Sequence, residues 1–198
     1  MRKKPHKWKN PTVKSGFPAD GGRIVSEMVS DGWTFHKTVH LRFDGGCGPR
    51  NPGGVPTFGW QLFAYSGDHG DIIAEECGVC LRYAKDHRTN NTAEWSGVAD
   101  ALSWMNENKV AAHSMLVIGD SMLVLNQLSG AWATKKVHLR LLLDESLGLM
   151  AKVCTGSFSV KWVPREQNED CDALCQIAYE IDGRDPAIKE ADHANAAD

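Results

Sequence analysis

Between Thr38 and Tyr83 three runs of β-forming residues follow one another across short polar links, and after Glu94 the apolar period lengthens from about 2 to about 3.6 residues. Thr38 to Phe43 alternates around Val39, Leu41 and Phe43 and stops at Asp44-Gly45-Gly46, a strand running into a glycine turn. Thr57 to Tyr65 and Ile72 to Tyr83 read as the next two strands, joined by Ser66-Gly67-Asp68-His69-Gly70, so the three predict an antiparallel meander. From Glu94 to Asn106, the residues Trp95, Val98, Leu102 and Met105 fall at helical spacing. Met115 to Ile118 is a short buried strand ended by Gly119-Asp120-Ser121, and helices are expected through Leu123 to Leu128 and Leu139 to Met150. Phe158, Val160 and Trp162 alternate as a last strand, and Leu174, Cys175, Ala178 and Ile181 trace a final helix with Asn168 as its expected N-cap. A meander followed by helix and strand in alternation predicts an α/β domain with a mixed five-stranded sheet, antiparallel meander plus parallel strands, and helices on both faces.

The 198 residues, 42% of them hydrophobic, suit one domain with a real core, which the patterning places at residues 37–182. Residues 1–36 carry Pro5, Pro11, Pro18 and Gly21-Gly22 without a sustained period. They are expected to form a flexible basic arm, with at most a short helix near Ile24 to Val29. Its first fourteen residues hold Arg2, Lys3, Lys4, Lys7, Lys9 and Lys14 and no acid, which suits contact with phosphates. Residues 183–198 form a polar tail. No apolar run is long enough to cross a bilayer and none follows the basic N-terminus as a signal peptide would, so a soluble cytoplasmic monomer with no membrane partner is expected. The net charge of −3 excludes a strongly basic domain. Cys77 and Cys80 have C-x-x-C spacing, but three residues apart on a strand they face opposite ways, and Cys171 and Cys175 lie one helical turn apart among apolar neighbours. Packing is the expected role of these thiols.

Four carboxylates carry the chemistry: Asp44 closing a strand, Glu94 opening a helix, Asp120 at a strand end and Asp172 in a helix's first turn. Buried acids raise one another's pKa and need compensating cations. Hard oxygen ligands without a His/Cys set favour Mg²⁺, with Mn²⁺ as the alternative.

Phe43-Asp44-Gly45-Gly46, Thr89-Asn90-Asn91-Thr92-Ala93-Glu94, Gly119-Asp120-Ser121, and Val163-Pro164-Arg165-Glu166-Gln167-Asn168 with Asp172-Ala173-Leu174 resemble the ribonuclease H type 1 family over about residues 38 to 182. The resemblance implies a ribonuclease H-like fold and endonucleolytic hydrolysis of the RNA strand of an RNA/DNA hybrid. Asp44, Glu94, Asp120 and Asp172 would be the catalytic, metal-binding acids. Asp44 would bridge two ions about 3.5–4 Å apart, Glu94 and Asp120 would complete the shell of one, and Asp172 would help hold the other. The same likeness places Gly46, Cys47 and Asn51 near the hybrid's minor groove, with Asn90 and Asn91, and sets Thr89 at a DNA phosphate, while the plain reading of Thr89 to Thr92 is a helix cap and the two can hold together. Trp132, with Lys135 and Lys136, is expected to meet the DNA strand by stacking and charge, although packing explains Trp132 nearly as well. The loop before the last helix lacks the histidine many members carry, and Arg165 or Glu166 is expected to substitute for it. The long basic protrusion of some members is absent from Gly130 to Lys136. The other readings are a catalytically weak nucleic-acid-binding module of the same fold and a related-fold nuclease or resolvase. Against the proofreading-type exonucleases of related fold stands Asp44-Gly45-Gly46 where they carry Asp-x-Glu.

Overall fold

The computed structural model describes residues 12–14, 28–80 and 87–181. In chain order the elements are β1 (Thr12–Lys14), β2 (Thr34–Gly48), β3 (Val55–Ser66), β4 (His69–Val79), α1 (Asn90–Glu107), β5 (Val110–Gly119), α2 (Met122–Leu128), α3 (Val137–Val153), β6 (Cys154–Trp162) and α4 (Glu169–Ile181). The expected meander is present, with β3 antiparallel to both β2 and β4, and β5 runs parallel to β2 and β6. A sixth strand, β1, joins antiparallel to β6 and gives the order β1-β6-β5-β2-β3-β4.

Residues paired across strands share a face of the sheet. Val39, Leu41 and Phe43 of β2 lie beside Ala64, Leu62 and Trp60 of β3, and Val39 and Leu41 lie beside Met115 and Val117 of β5. This face is the main core, where Trp60, Trp95, Leu102 and Met105 are fully buried between the sheet and the helices. Burying each such side chain stabilises the fold by roughly 1.5–3 kcal/mol. Both indoles keep a polar partner: Trp60 Nε1 donates to Asp100 Oδ2 at 2.8 Å, and Trp95 Nε1 donates to Gln127 Oε1 at 3.0 Å. The opposite face, on which Asp44 pairs with Gly59, is covered by α4 through Cys171, Cys175 and Ala178.

The structure revises several boundaries. Thr12–Lys14 and residues 34–36, expected within the flexible arm of 1–36, belong to the sheet. Three residues are too few to show a period, and only Phe35 marks the early part of β2 as apolar. Residues 28–30 are helical, and the rest of the helix expected near Ile24 to Val29 lies outside the described residues, as do the start of the arm and the tail 183–198. The third strand ends at Val79; residues 81–86 are likewise outside. The first long helix begins at Asn90 instead of Glu94, because Thr89 caps it ahead of the first apolar residue. Among the described residues no helix is long and apolar enough to cross a membrane.

Candidate active site

Two glycines on neighbouring rungs of the sheet allow helices from opposite faces to close on the end of β2. A Cβ on Gly45 would lie 2.1 Å from the backbone nitrogen of Glu94, so the second turn of α1 rests directly on the strand. A Cβ on Gly59 would lie 2.4 Å from Leu174 Cβ and 2.8 Å from the Cys171 carbonyl oxygen, so the start of α4 rests there just as closely. Since Asp44 pairs with Gly59 and precedes Gly45, Glu94 and Asp172 are brought to it from the two sides. Asp120 follows β5, two residues beyond the rung formed by Arg42 and Ile118, and so stands beside Asp44. The four acids thus gather at one end of the sheet.

Each carboxylate has its own anchor. Gly45 N–H donates to Asp44 Oδ1 at 2.8 Å. Ser121 Oγ donates to Glu94 Oε2 at 2.5 Å while accepting from Val124 N at the cap of α2. Asn168, only 1% exposed, donates through Nδ2 to the Phe43 carbonyl at 2.9 Å and to Asp120 Oδ1 at 3.2 Å. Asp172 is ion-paired with the guanidinium of Arg165. The Asn168 side chain therefore faces the acids instead of capping α4, and its Oδ1 has no partner among the described residues. The bonds from Ser121 and Asn168 to the acids are the contacts that sequence reasoning misses. Ser121 belongs to the Gly119-Asp120-Ser121 run, so its signal is the hydroxyl next to Asp120; a cap and an inward-turned amide look alike in sequence for Asn168.

The electrostatics follow from this crowding. Burial, then the charge of Asp120, raises the Asp44 carboxyl from 3.8 to about 7, against the opposing pull of the Gly45 N–H. Burial likewise raises Glu94 from 4.5 to about 7, with Asp44 and Asp120 adding to it and the Ser121 hydrogen bond opposing. Ser121→Ala removes that donor, so the Glu94 carboxyl should titrate at still higher pH, which carboxyl ¹³C NMR on the EDTA-treated protein would read. Beneath α4, burial pushes the Cys171 thiol up to about 12, which keeps it an inert packing group.

Among the described residues no three His, Cys, Asp or Glu side chains are yet close enough to share one ion. Glu94 is hydrogen-bonded to Ser121 and Asp172 is paired with Arg165. The donor set fits a hard divalent cation all the same. It is all oxygen, with Asp44 buried and Glu94, Asp120 and Asp172 partly buried around it.

The other expected residues divide into two groups. Asn51 Oδ1 accepts from Asn90 N at 3.2 Å, and Thr89 Oγ1 accepts from Thr92 N at 3.2 Å, so both satisfy otherwise orphaned N–H groups at the start of α1. Gly46 and Cys47 continue β2 past Asp44, and Cys47 Sγ donates to the Arg50 carbonyl at 3.3 Å. Asn91 follows in the same first turn of α1. Trp132 stands apart on the α2–α3 connection, 49% exposed. A cavity of about 630 Å³ lies elsewhere, between β4 and α1 beside Glu76, Asp100 and Glu107, and none of the four acids lines it. The acids lie at the end of the sheet, outside that cavity.

Residues 66–178 match a family described as reverse transcriptase-like. The ribonuclease HI of Halobacterium salinarum is 35% identical over 170 residues, 85% of this chain and 74% of that protein. The crystal structure of RNase H1 from this archaeon superposes with a TM-score of 0.60 at 34% identity, over 72% of this chain and 98% of that one. A bifunctional protein of Mycobacterium tuberculosis is 30% identical over 156 residues, 79% of this chain, and this chain spans only 39% of that relative's length. The N-terminal RNase H domain of that protein, solved as a fusion with maltose-binding protein, gives a TM-score of 0.59 at 26% identity, over 81% of this chain and 99% of that one.

Proposed function

The chain belongs to the ribonuclease HI family, and from that premise we propose that it is an endonuclease hydrolysing the RNA strand of RNA/DNA hybrids. The observation that carries this reading is the gathering of Asp44, Glu94, Asp120 and Asp172 at one end of the sheet, with Asp44 and Glu94 both raised to about 7 by burial and by the neighbouring acids. Those four side chains would hold Mg²⁺, or Mn²⁺ in its place. When bound, a pair of such ions activates the attacking water and stabilises the leaving alkoxide of an in-line displacement.

The chain's own residues set the stage for that chemistry. Ser121 holds Glu94 and Asn168 holds Asp120, which fixes the orientation of two of the four acids. Selection of RNA over DNA must rest on the 2′-hydroxyl, which both donates and accepts. Glu94 and the main chain around Gly46 and Cys47 are its readers in this proposal. Asn51, Thr89, Asn90 and Asn91, clustered at the start of α1, would line the groove and a DNA phosphate there. Trp132 offers an exposed ring for stacking.

The test is cleavage of a labelled hybrid with Mg²⁺, run beside duplex DNA, duplex RNA and the Asp44→Asn variant. Wild type should cut only the RNA of the hybrid. Binding by both proteins with cutting by neither would overturn the enzymatic reading in favour of a binding module. The basic arm makes a separate contribution. Deleting residues 1–11 removes Arg2, Lys3, Lys4, Lys7 and Lys9 and spares β1. The log–log salt dependence of hybrid binding should then flatten by roughly 0.7–0.9 for each phosphate that the arm had neutralised; an unchanged slope means the arm touches no phosphate.

A further inference from the structure

Arg165 stands where positive charge is needed. It projects from a single 3₁₀ turn, Arg165–Gln167, whose far end is tied to the sheet by Arg42 Nη1 donating to the Gln167 carbonyl at 3.1 Å. Its guanidinium pairs with Asp172 and lies within the fields of Asp44 and Asp120, and the charge of Asp172 above all raises its pKa further. A guanidinium cannot leave such a cluster by losing its proton; it can only move. Movement is easy here, since the Arg165 side chain is 70% exposed and that of Asp172 44%. An ion pair this open is held weakly and can re-form elsewhere at little cost.

We propose that Arg165 is an exchangeable counter-ion of Asp172: it engages that carboxylate until a divalent cation enters, and the released guanidinium then takes a phosphate oxygen of the nucleic-acid backbone. This rests on the metal-dependent reading above and adds a regulatory element to it. Before substrate binds, the arginine competes with the cation for Asp172, which holds down the resting affinity of the site. A phosphate that draws Arg165 away frees Asp172 for the ion, and an ion that takes Asp172 frees the arginine for phosphate. By linkage each must raise the affinity of the other by the same factor. The fork of five N–H donors suits both partners, since carboxylate and phosphate present the same paired oxygens. Arg165 thus acts on the ion through Asp172, as a positioning residue, and meets the substrate only after the exchange.

A double-mutant cycle on the full chain tests this, using Mn²⁺ titrated calorimetrically into EDTA-stripped protein without nucleic acid. Wild type, Arg165→Ala, Asp172→Asn and the double variant are compared, with thermal melts to establish that each is folded. Arg165→Ala should tighten Mn²⁺ binding by up to about fivefold at low salt, the scale of an exposed ion pair. In the Asp172→Asn background the same substitution should change nothing, because the partner through which it acts is gone. Equal tightening in both backgrounds would reduce Arg165 to a general positive charge, and no tightening in either would also overturn the proposal. A second readout adds a hybrid made uncleavable by 2′-O-methyl groups. Wild type should gain Mn²⁺ affinity on adding it, and Arg165→Ala should gain less; an equal gain overturns the handover to phosphate. If wild type neither takes up Mn²⁺ nor cuts hybrid, the functional reading itself fails. If it does both and the cycle is additive, only the counter-ion role falls.

Discussion

Asp44→Asn should abolish hybrid cleavage and, at the same time, make the metal-free protein more stable at pH 8. The two effects have one cause. Asp44 is 8% exposed, shares its site with Glu94, Asp120 and Asp172, and titrates near 7 instead of 3.8 because burial and the Asp120 charge disfavour its ionised form. A carboxyl raised in the folded state contributes stability that is fully present below its unfolded pKa and lost as pH rises through the folded one. For Asp44, and for Glu94 raised in the same way, that window runs from about 4 to about 7. EDTA-treated wild type should therefore melt lower at pH 8 than at pH 5. Asparagine preserves the shape and the bond from Gly45 N–H but carries no charge, which removes on the order of 2–4 kcal/mol of strain at pH 8. Activity moves the other way. Transition-state charge stabilisation by bound cations is worth several kcal/mol, and at tenfold per roughly 1.4 kcal/mol its loss implies a fall of about a thousandfold or more. Thermal melts at the two pH values with and without Mg²⁺, beside cleavage rates, check both halves. A variant both inactive and less stable at pH 8 would mean that Asp44 is structural and not an uncompensated charge.

The order strand, helix, strand, helix of the four acids is legible in the sequence because each sits beside a signal of local structure. Asp44 ends an alternating run at two glycines, which continue β2 to Gly48 instead of forming the expected turn, Glu94 opens a helical period, Asp120 ends a short apolar run and Asp172 begins the last one. Legibility stops where tertiary proximity decides. Asn168 reads as a helix cap, and the carbonyl it serves belongs to Phe43, 125 residues away. The Ser121 hydroxyl caps α2, and the second bond it makes, to Glu94 on another helix, has no local signature. The cap that Thr89 makes at the start of α1 is local and expected, whereas the bond from Asn90 N to Asn51 Oδ1 joins residues 39 apart and has no local signal. The strand Thr12–Lys14 is chosen by the free edge of β6 and not by its own three residues. Gly59 illustrates the same limit, since nothing within β3 announces that α4 will rest on it.

Gly45→Ala should impair both fold and function although it adds a single methyl group. The new Cβ would stand 2.1 Å from Glu94 N, 2.4 Å from the Ala93 carbonyl carbon and 2.6 Å from Glu94 Cα. All three are backbone atoms of α1, so no side chain can turn aside and the helix must lift or β2 must bend. Overpacking a rigid interior typically costs about 1–3 kcal/mol, and a clash of backbone on backbone belongs at or above the upper end. The helix that lifts is the one carrying Glu94, and it also buries Trp95, Val98 and Leu102 in the core, so it cannot shift far without loosening their packing. Displacing a positioned group by about 1 Å can reduce turnover on the order of a hundredfold. The expected result is a lower melting temperature together with a fall in kcat, and KM for hybrid should rise as well, since Asn51, Thr89, Asn90 and Asn91 cluster at the start of the same helix. Gly148→Ala in α3 is the control, because a Cβ there would meet nothing within 4 Å and the site lies elsewhere. If both alanine variants melt and cut alike, α1 is not seated on β2 at Gly45 and the placement of Glu94 beside Asp44 falls with it.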